Sequence, residues 1–358
     1  MASRSSPSAP GPSSHKKQPS PNGNTYKAAG VDREAASKVK RRIAALAAST
    51  HGARVIDNPG GFGGLYHLTG FKDPVLVSST DSVGTKLRIA IWMESYRNLG
   101  MDVVNQNVND VMVCGAKPLF FLDYIGMGKL NTAAVEEMVE GMAEACRESE
   151  CALVGGETAE LPGLYDPGDF DLAGFVVGAV ERDAMLDTSK VRAGDALVAL
   201  PSSGPHTNGY SLIRRIFGLD DDPSPLRRPV PELGATLGEA LLAPHLPYYA
   251  TVKPLLPYIK AMAHITGGGV FNNVPRSLPQ GLGARIDLAS WDVPPLFGLI
   301  QRAGKVERDE MFRVFNMGLG MVLVCAPENA ARIVKMAGNA WVAGEVVKTD
   351  AAVRVALE

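Results

Sequence analysis

The chain has 358 residues, and its 36 Lys and Arg against 38 Asp and Glu leave a formal net charge of −2. This near-neutral charge argues against a nucleic-acid-binding protein, because no global positive field is available to displace counterions. No apolar run approaches the roughly 18 residues of a membrane-spanning helix, and a composition of 46% hydrophobic and 21% charged residues is typical of a soluble globular protein.

The length predicts two domains, since one core usually serves roughly 150 residues. We expect a disordered tail over 1–25, an N-terminal domain over 26–185, and a C-terminal α/β domain over 186–358. The tail is rich in Ser and Pro and has no acidic residue, a composition that is also compatible with an organelle transit peptide. The four cysteines form no Cys-x-x-Cys pair, which favours reduced thiols and a cytoplasmic location.

In the N-terminal half, helical periodicity alternates with short apolar runs, and this predicts an α/β (α+β) architecture. The clearest helix is 132–148, where an apolar stripe lies opposite four glutamates. The predicted elements in chain order are helix 32–48, strand 74–79, helices 84–96 and 100–115, strand 119–124, helix 132–148, and strands 151–156 and 170–181.

In the C-terminal half, the segment 218–235 combines three consecutive aspartates with four prolines and predicts a long, mobile loop. The aspartates also raise the question of a metal, although adjacent exposed carboxylates are usually solvated. The other predicted elements are strand 196–200, helix 207–217, helices 236–262 and 295–304, and strands 284–287, 313–325 and 341–347.

The first candidate motif is TDSVGTK at 80–86, directly after a predicted strand. Asp81 would lie at the end of the strand, Gly84 permits a close turn, and Lys86 falls in the first turns of a helix. Free amides and a lysine favour phosphate, and a carboxylate favours Mg²⁺, so Thr80, Gly84 and Thr85 become candidate phosphate ligands. The alternative is an ordinary helix cap with a surface lysine.

Two further motifs carry carboxylates. The segment DVVNQNVNDV at 102–111 predicts a helix with a polar face that includes Asn109 and Asp110, either as the wall of a site, with Asn109 as a candidate phosphate ligand, or as a solvated face. In VGGETAE at 154–160, a strand ends in two glycines, which add Gly155 and Gly156 as candidate phosphate ligands. We predict that Glu157 joins Asp81 and Asp110 in a Mg²⁺ shell; a glycine turn with exposed acids is the alternative.

Three more segments complete the candidate site: GGFGG at 60–64, SSGPHTNGYS at 202–211 and HITGGGV at 264–270. Each offers bare backbone, and the second adds a histidine suited to proton transfer. His245 lies in a proline-rich stretch and is expected to be a bystander. The predicted ligands from these segments are Gly63, Gly64, Ser203, Gly204, Asn208, Thr266, Gly267, Gly268 and Gly269, with His206 as a catalytic candidate.

Together these motifs resemble those of the phosphoribosylformylglycinamidine cyclo-ligase (AIR synthetase) family. The resemblance spans about 26–358 in the family's order. It rests on the runs YKAAGVD at 26–32, TDSVGTK at 80–86, VNDV at 108–111, GAKPLFFLDY at 115–124, GGETAE at 155–160, SGPHTNGYSL at 203–212, HITGGG at 264–269 and FNMGLGM at 315–321.

The resemblance implies a two-domain fold and a homodimer in which the N-terminal domains form a shared β-barrel, so that the domain at 26–185 would bind ATP and Mg²⁺ and form the dimer. It implies ATP, Mg²⁺ and commonly K⁺, with formylglycinamidine ribonucleotide as substrate, and ring closure through an imidoyl phosphate. In that chemistry Lys86 and Asp110 would assist phosphoryl transfer, and His206 would contact the phosphoryl group or move a proton.

Three alternatives share features with this interpretation. A selenophosphate-synthetase-like enzyme would need a reactive cysteine near the N-terminus, but the first cysteine is Cys114. A thiamine-phosphate-kinase-like enzyme would transfer phosphate to its product instead of releasing it. A non-catalytic nucleotide-binding subunit is expected to lack acids such as Asp81 and Asp110, which are both present.

Overall fold

The computed structural model describes residues 33–58 and 61–358, so the predicted tail at 1–25 and the run 26–32 lie outside the described residues. The first half alternates strands and helices as predicted. Its elements are α1 (Arg33–Ala48), β1 (Val55–Ile56), β2 (Leu65–Tyr66), β3 (Pro74–Ser82), α2 (Lys86–Met93), α3 (Arg97–Met112), β4 (Lys117–Met127), α4 (Thr132–Glu148), β5 (Ala152–Glu160) and β6 (Phe170–Glu181).

Four of these strands form one sheet in the order β3-β6-β4-β5. The β3–β6 and β6–β4 pairs are antiparallel, whereas β4 and β5 are parallel. A parallel pair needs a crossover connection, and α4 supplies it between β4 and β5. The short strands β1 and β2 pair separately with each other.

Helix α3 packs against one face of the sheet and α4 packs on α3. On the opposite face, β2 reaches β4, where the Tyr66 ring lies 5.5 Å from that of Phe120. Side chains alternate along β6, so that Val176 is buried and its neighbour Phe175 is 47% exposed. Leu76 on β3 is 60% exposed. Within the described residues, the β3–β6 part of this face therefore exposes large apolar side chains, and we call that part the open face.

The second half contains β7 (Ala196–Pro201), α5 (Tyr210–Phe217), β8 (Pro229–Val230), β9 (Ala235–Thr236), α6 (Leu237–Leu241), α7 (Tyr249–Val252), β10 (Ile259–His264), α8 (Gly269–Asn273), β11 (Leu282–Ile286), α9 (Pro295–Gly304), α10 (Arg308–Val314), β12 (Leu319–Cys325), α11 (Pro327–Ala337), β13 (Trp341–Lys348) and β14 (Val355–Leu357). Six strands form a second sheet in the order β10-β12-β7-β13-β11-β14. Every residue of β12 is buried, as suits a strand with neighbours on both sides. The predicted boundary at 185/186 falls between β6 and β7, that is, between the two sheets.

Three predicted elements of the second half were wrong. The predicted helix 236–262 divides into α6, α7, a 3-10 helix and β10, because prolines at 244, 247, 254 and 257 remove backbone donors. The predicted strand 313–325 begins as α10 and becomes β12 only after the positive-φ pair Met317 and Gly318. The predicted loop 218–235 contains two 3-10 helices and a paired strand, and Leu226 anchors it in the core. Among the described residues, no helix combines the length and apolarity needed to cross a bilayer.

Candidate active site

The polar face of α3 binds the segment 242–248 of the C-terminal half. Its side chains lie three or four residues apart and so share one face of the helix. The contacts are Asn98 Nδ2 to the Leu242 carbonyl (2.9 Å), His245 N to Asp102 Oδ1 (2.7 Å), Asn105 Nδ2 to the His245 carbonyl (2.7 Å), Asn109 Nδ2 to the Leu246 carbonyl (3.1 Å) and Tyr248 N to Asn109 Oδ1 (3.3 Å). The amides in α3 therefore form neither a solvated face nor an open site wall, because they hold the two halves together.

This arrangement changes the interpretation of Asn109, which was predicted to bind phosphate. Its side chain is fully buried, and both its donor and its acceptor are used by the backbone of the opposite half. The placement fits an interdomain contact and does not fit a phosphate ligand.

Lys86 is also buried, although it was predicted to assist catalysis. Its ammonium forms an ion pair with Asp102 (Nζ–Oδ2 2.7 Å) and donates to the Ala243 carbonyl (2.8 Å), and neither side chain has exposed area. Burial lowers the pKa of Lys86, and the Asp102 charge opposes this shift. Lys86 therefore contacts Asp102 and the opposite half of the protein, and in this structure it does not reach the cleft.

Three histidines and Asp110 form a continuous cluster between the halves, which we call the histidine cluster (His206, His245, His264 and Asp110). His264 Nδ1 lies 2.8 Å from Asp110 Oδ1, and His264 Nε2 lies 2.9 Å from His245 Nε2. The His245 ring stacks on the His206 ring with centroids 3.9 Å apart. The expectation that His245 is a bystander was wrong, since it lies at the centre of this cluster.

His206 occupies the inner end of the cluster. It has a positive φ of 57°, is 1% exposed, and accepts a hydrogen bond from the Ser203 amide at Nε2 (3.3 Å). Burial holds the pKa of both His206 and His245 well below the usual value for histidine, so both rings are neutral. His206 therefore lies behind the surface that a substrate could reach, and its predicted contact with a phosphoryl group does not fit this placement.

Exposed groups of both halves flank the cluster where Asp110 meets His264, and we call the surface between them the cleft. On one side are Asp81, exposed at the end of β3, and Asp110, whose side chain is 35% exposed. Burial of part of the Asp81 carboxyl raises its pKa, and the nearby charge of Asp110 acts in the same direction. On the other side the chain continues from His264 into the glycine run 267–269.

The glycine run offers bare backbone to this cleft. Within the described residues, the amides of Gly267 and Gly268 donate to no backbone oxygen, and Gly268 has a φ of 94°. A Cβ at Gly267 would lie 3.1 Å from Asn208 Oδ1, so Asn208 borders the same space. Gly269 is different, because a Cβ there would lie 1.9 Å from the Phe312 carbonyl. Gly269 is thus required for packing, whereas Gly267 and Gly268 have free donors.

The predicted metal shell does not form within one chain. Among residues 33–58 and 61–358 there is no group of three or more His, Cys, Asp or Glu side chains placed to hold one metal ion. Asp81 pairs across the sheet with Gly174, which pairs with Asp123, which pairs with Gly156 beside Glu157. Three strand spacings of about 4.8 Å put Glu157 roughly 14 Å from Asp81. Asp81 and Asp110 remain neighbours, and Glu157 belongs elsewhere.

Glu157 lines a separate cavity of about 520 Å³, which we call the glycine cavity. The loop between β1 and β2 forms one wall with Gly63 and Gly64, and the start and middle of β5 form another with Gly155 and Gly156. The structure thus brings together two predicted glycine motifs, but places them apart from the histidine cluster. Asp123, which our sequence reasoning did not select, lies beneath them; an acid within the apolar strand FFLDY was the available signal.

The remaining predicted ligands have mainly backbone or interdomain contacts. Thr80 Oγ1 donates to the Gly174 carbonyl (3.0 Å), and Thr85 Oγ1 lies 3.2 Å from Ser211 Oγ in the other half. Ser203 Oγ donates to the Pro244 carbonyl (2.5 Å), and the Gly204 carbonyl accepts from Asn316 (2.8 Å). The last two predicted ligands shape the local backbone. Gly84 makes the turn into α2 with a φ of 68°, and the Thr266 carbonyl accepts a hydrogen bond from the Gly269 amide (3.0 Å).

Comparisons with known proteins agree with this architecture. Family models of AIR synthase related proteins match the chain, with the N-terminal domain at 65–180 and the C-terminal domain at 192–356. The phosphoribosylformylglycinamidine cyclo-ligase of Thermoanaerobacter sp. (strain X514) is 46% identical over 92% of this chain and 99% of its own length. That of Carboxydothermus hydrogenoformans is 50% identical over 90% and 96%.

A solved structure, the hydrogenase maturation protein HypE in complex with ATP, has the same fold. Its TM-score is 0.64 with 17% identity, covering 89% of this chain and 90% of that one. At this identity the likeness concerns the fold alone. The identity of 46–50% along nearly the full length of both relatives extends further, and it includes both domains. The chain therefore belongs to the phosphoribosylformylglycinamidine cyclo-ligase family of AIR synthase related proteins.

Proposed function

We propose that this enzyme uses ATP to close the imidazole ring of formylglycinamidine ribonucleotide. The amide oxygen attacks the γ-phosphorus of ATP and ADP leaves, which gives an imidoyl phosphate. The amidine nitrogen then attacks that carbon, a proton is lost, and phosphate leaves. The products are 5-aminoimidazole ribonucleotide, ADP and inorganic phosphate. The observation that carries the proposal is the full-length similarity to cyclo-ligases at 46–50% identity.

The interdomain cleft supports this chemistry because carboxylates lie on one side of it and free backbone amides lie on the other. The amides of Gly267 and Gly268, with Asn208 beside them, suit the oxygens of a phosphate group. Phosphoryl transfer depends mainly on positioning and on neutralising charge. We therefore assign the phosphate contacts in this cleft to the glycine run rather than to Asn109, Lys86 or His206, whose polar groups are buried.

The donor set on the opposite side fits Mg²⁺. Mg²⁺ is usually bound by one or two carboxylates together with substrate phosphates. Asp81 and Asp110 are two such carboxylates at the mouth of the cleft, and they would hold the ion, which when bound neutralises developing phosphate charge. The family resemblance also implies K⁺, which we propose as a further requirement for turnover.

The glycine cavity is our candidate for a second part of the nucleotide or substrate site. It combines bare backbone at Gly63, Gly64, Gly155 and Gly156 with the side chains of Phe62 and Tyr124. Aromatic and glycine surfaces together suit a base and a phosphate chain.

The four cysteines are all free thiols, which supports the cytoplasmic location expected from the sequence.

The test is turnover by the purified full-length protein with Mg-ATP and formylglycinamidine ribonucleotide. ADP, phosphate and 5-aminoimidazole ribonucleotide should appear in equal amounts. Asp110→Asn should lose turnover while it remains folded, and Asp309→Asn, on the exposed surface of α10, is the matched control. ADP without phosphate release would instead indicate a kinase, and no nucleotide turnover would indicate a binding subunit.

We also propose that the open face of the four-stranded sheet is covered by a second copy of the chain, which agrees with the shared barrel that the resemblance implies. Exposed apolar surface of this extent marks an interface. Phe175→Glu should therefore shift the protein to monomers in sedimentation velocity. Met336→Glu, at a residue equally exposed (46%) but on α11, is the control and should not. A dimeric Phe175→Glu variant would contradict this assignment.

A further inference from the structure

The segment 242–248 holds one side chain that our proposed mechanism does not use. His245 is fully buried, yet it contacts both other histidines of the histidine cluster. Its backbone is held on both sides by α3, since its amide donates to Asp102 and its carbonyl accepts from Asn105. Pro244 and Pro247 flank it and restrict the chain further. The imidazole is thus presented from a backbone that has little freedom.

His264 has a hydrogen-bonding partner at each of its ring nitrogens. The Asp110 carboxylate only accepts, so His264 must carry a proton on Nδ1. The other nitrogen of that ring, Nε2, lies 2.9 Å from His245 Nε2, so one of these two nitrogens donates to the other. The two contacts together hold the plane of the His264 ring between Asp110 and His245.

We infer that His245 is a positioning residue: its Nε2–H bond fixes the His264 ring, and through that ring it orients the Asp110 carboxylate at the mouth of the cleft. The inference deepens the proposed function, because it concerns the same carboxylate. A ligating carboxylate or imidazole is usually oriented by a hydrogen bond from behind, and loss of that bond costs about 10–100-fold in activity or metal affinity. Neither His245 nor its ring nitrogens reach the cleft surface, so its action is indirect.

Two substitutions separate the hydrogen bond from the packing of the ring. His245→Gln keeps an N–H donor at a similar reach but removes the ring that stacks on His206. His245→Phe keeps the ring and removes the donor. If the hydrogen bond is what matters, His245→Phe should lose about 10–100-fold in kcat, and His245→Gln should retain most of the wild-type rate. Equal loss in both variants would overturn the inference, because it would assign the effect to ring packing; wild-type rates in both would overturn it as well.

A spectroscopic measurement tests the same bond without any activity. In protein labelled with ¹⁵N-histidine, His264 should show a protonated Nδ1 and an unprotonated Nε2 that accepts a hydrogen bond. The Nε2 resonance should move toward that of a free acceptor in His245→Phe and stay near its wild-type position in His245→Gln. Tyr248→Phe, which removes a hydroxyl bonded to the Pro201 carbonyl (2.6 Å) in the same segment, should leave this resonance unchanged.

The spectrum of the wild-type protein is decisive even where a variant fails to fold. An unprotonated Nδ1 on His264 would reverse the direction of the bond and overturn the inference. If the proposed function fails, the result is different: the wild-type enzyme closes no ring, although its His264 spectrum is the one predicted. The two proposals can therefore fail independently.

Discussion

Asp123 is a buried acid whose ionisation should make the stability of this protein depend on pH. It lies in β4 directly under β5, where a Cβ on Gly156 would come within 2.2 Å of Asp123 Oδ1. Its residue is only 8% exposed, and burial raises its pKa from 3.8 to about 7, with the neighbouring charge of Glu157 acting in the same direction. The carboxyl is therefore close to half protonated at neutral pH.

The sign of the effect follows from the raised pKa. Between about pH 4 and pH 7 the folded state keeps a proton that the unfolded state has lost, so the free energy of unfolding falls as the pH rises through this window. A shift of about three pKa units at about 1.4 kcal/mol per unit amounts to about 4 kcal/mol. This contribution to stability is fully present below about pH 4 and lost above about pH 7.

Asp123→Asn removes the titration with almost no change in shape. Urea unfolding of the wild type and the variant should be measured from pH 4 to pH 8 at one protein concentration. Relative to the wild type, the variant should gain about 4 kcal/mol of stability between the two ends of this range. The matched control is Asp309→Asn, because Asp309 is exposed and should give a flat difference.

A second variant tests the secondary cause. Glu157→Gln removes a like charge beside Asp123 and should move the stability transition to lower pH. If the difference between Asp123→Asn and the wild type stays constant across the whole range, the Asp123 carboxyl titrates normally and the reasoning from its burial is refuted.

Two further predictions concern the interdomain residues and the glycine run. Lys86→Met leaves the Asp102 charge buried without a partner and should lower the free energy of unfolding by about 3–5 kcal/mol, while Lys86→Met with Asp102→Asn should recover most of this loss. Urea unfolding of the single and double variants measures both changes. A double variant no more stable than the single one would contradict the prediction. Gly267→Ala should fold normally but raise the KM for a phosphate-bearing substrate at least about tenfold, because the added Cβ, 3.1 Å from Asn208 Oδ1, would keep a phosphate from reaching backbone donors whose bond to a charged group contributes about 1.5–3 kcal/mol. Gly269→Ala should instead lower the thermal unfolding midpoint, because its Cβ would overlap the Phe312 carbonyl. Equal effects of the two alanines on KM would remove the distinction between a binding and a packing glycine.

The local elements of the first half were predictable because periodicity decides them. Helix 132–148 was predicted with the bounds that the structure shows, since an apolar stripe opposite glutamates admits one arrangement. The segment 236–262 was not, because prolines at 244, 247, 254 and 257 interrupt its apolar residues. The prolines divide that segment, and its last four residues, 259–262, belong to β10.

The composition of the candidate site was harder to predict than its motifs. The polar stripe on α3 is visible in the sequence, but whether it faces water, ligand or protein depends on how the two halves pack. The same holds for Lys86, whose partner Asp102 lies 16 residues away and whose carbonyl acceptor at Ala243 lies 157 away. The sequence shows that these side chains are polar, but only the tertiary contacts show which groups complete their hydrogen bonds and ion pairs.

The stripe on α3 also explains why the cleft carboxylate and the histidines belong to one unit. Asp102 and Asn105 hold the backbone of His245, and five residues beyond Asn105 the same helix carries Asp110, which meets His264 from the opposite half. A shift of the segment 242–248 along α3 would therefore move His245 relative to Asp110 and break the bond at His264. The buried ion pair of Lys86 and Asp102 resists that shift, because separating it would leave charges without partners. Lys86 thus contributes to the geometry of the cleft from behind it, which accounts for a lysine in the motif TDSVGTK that has no exposed area.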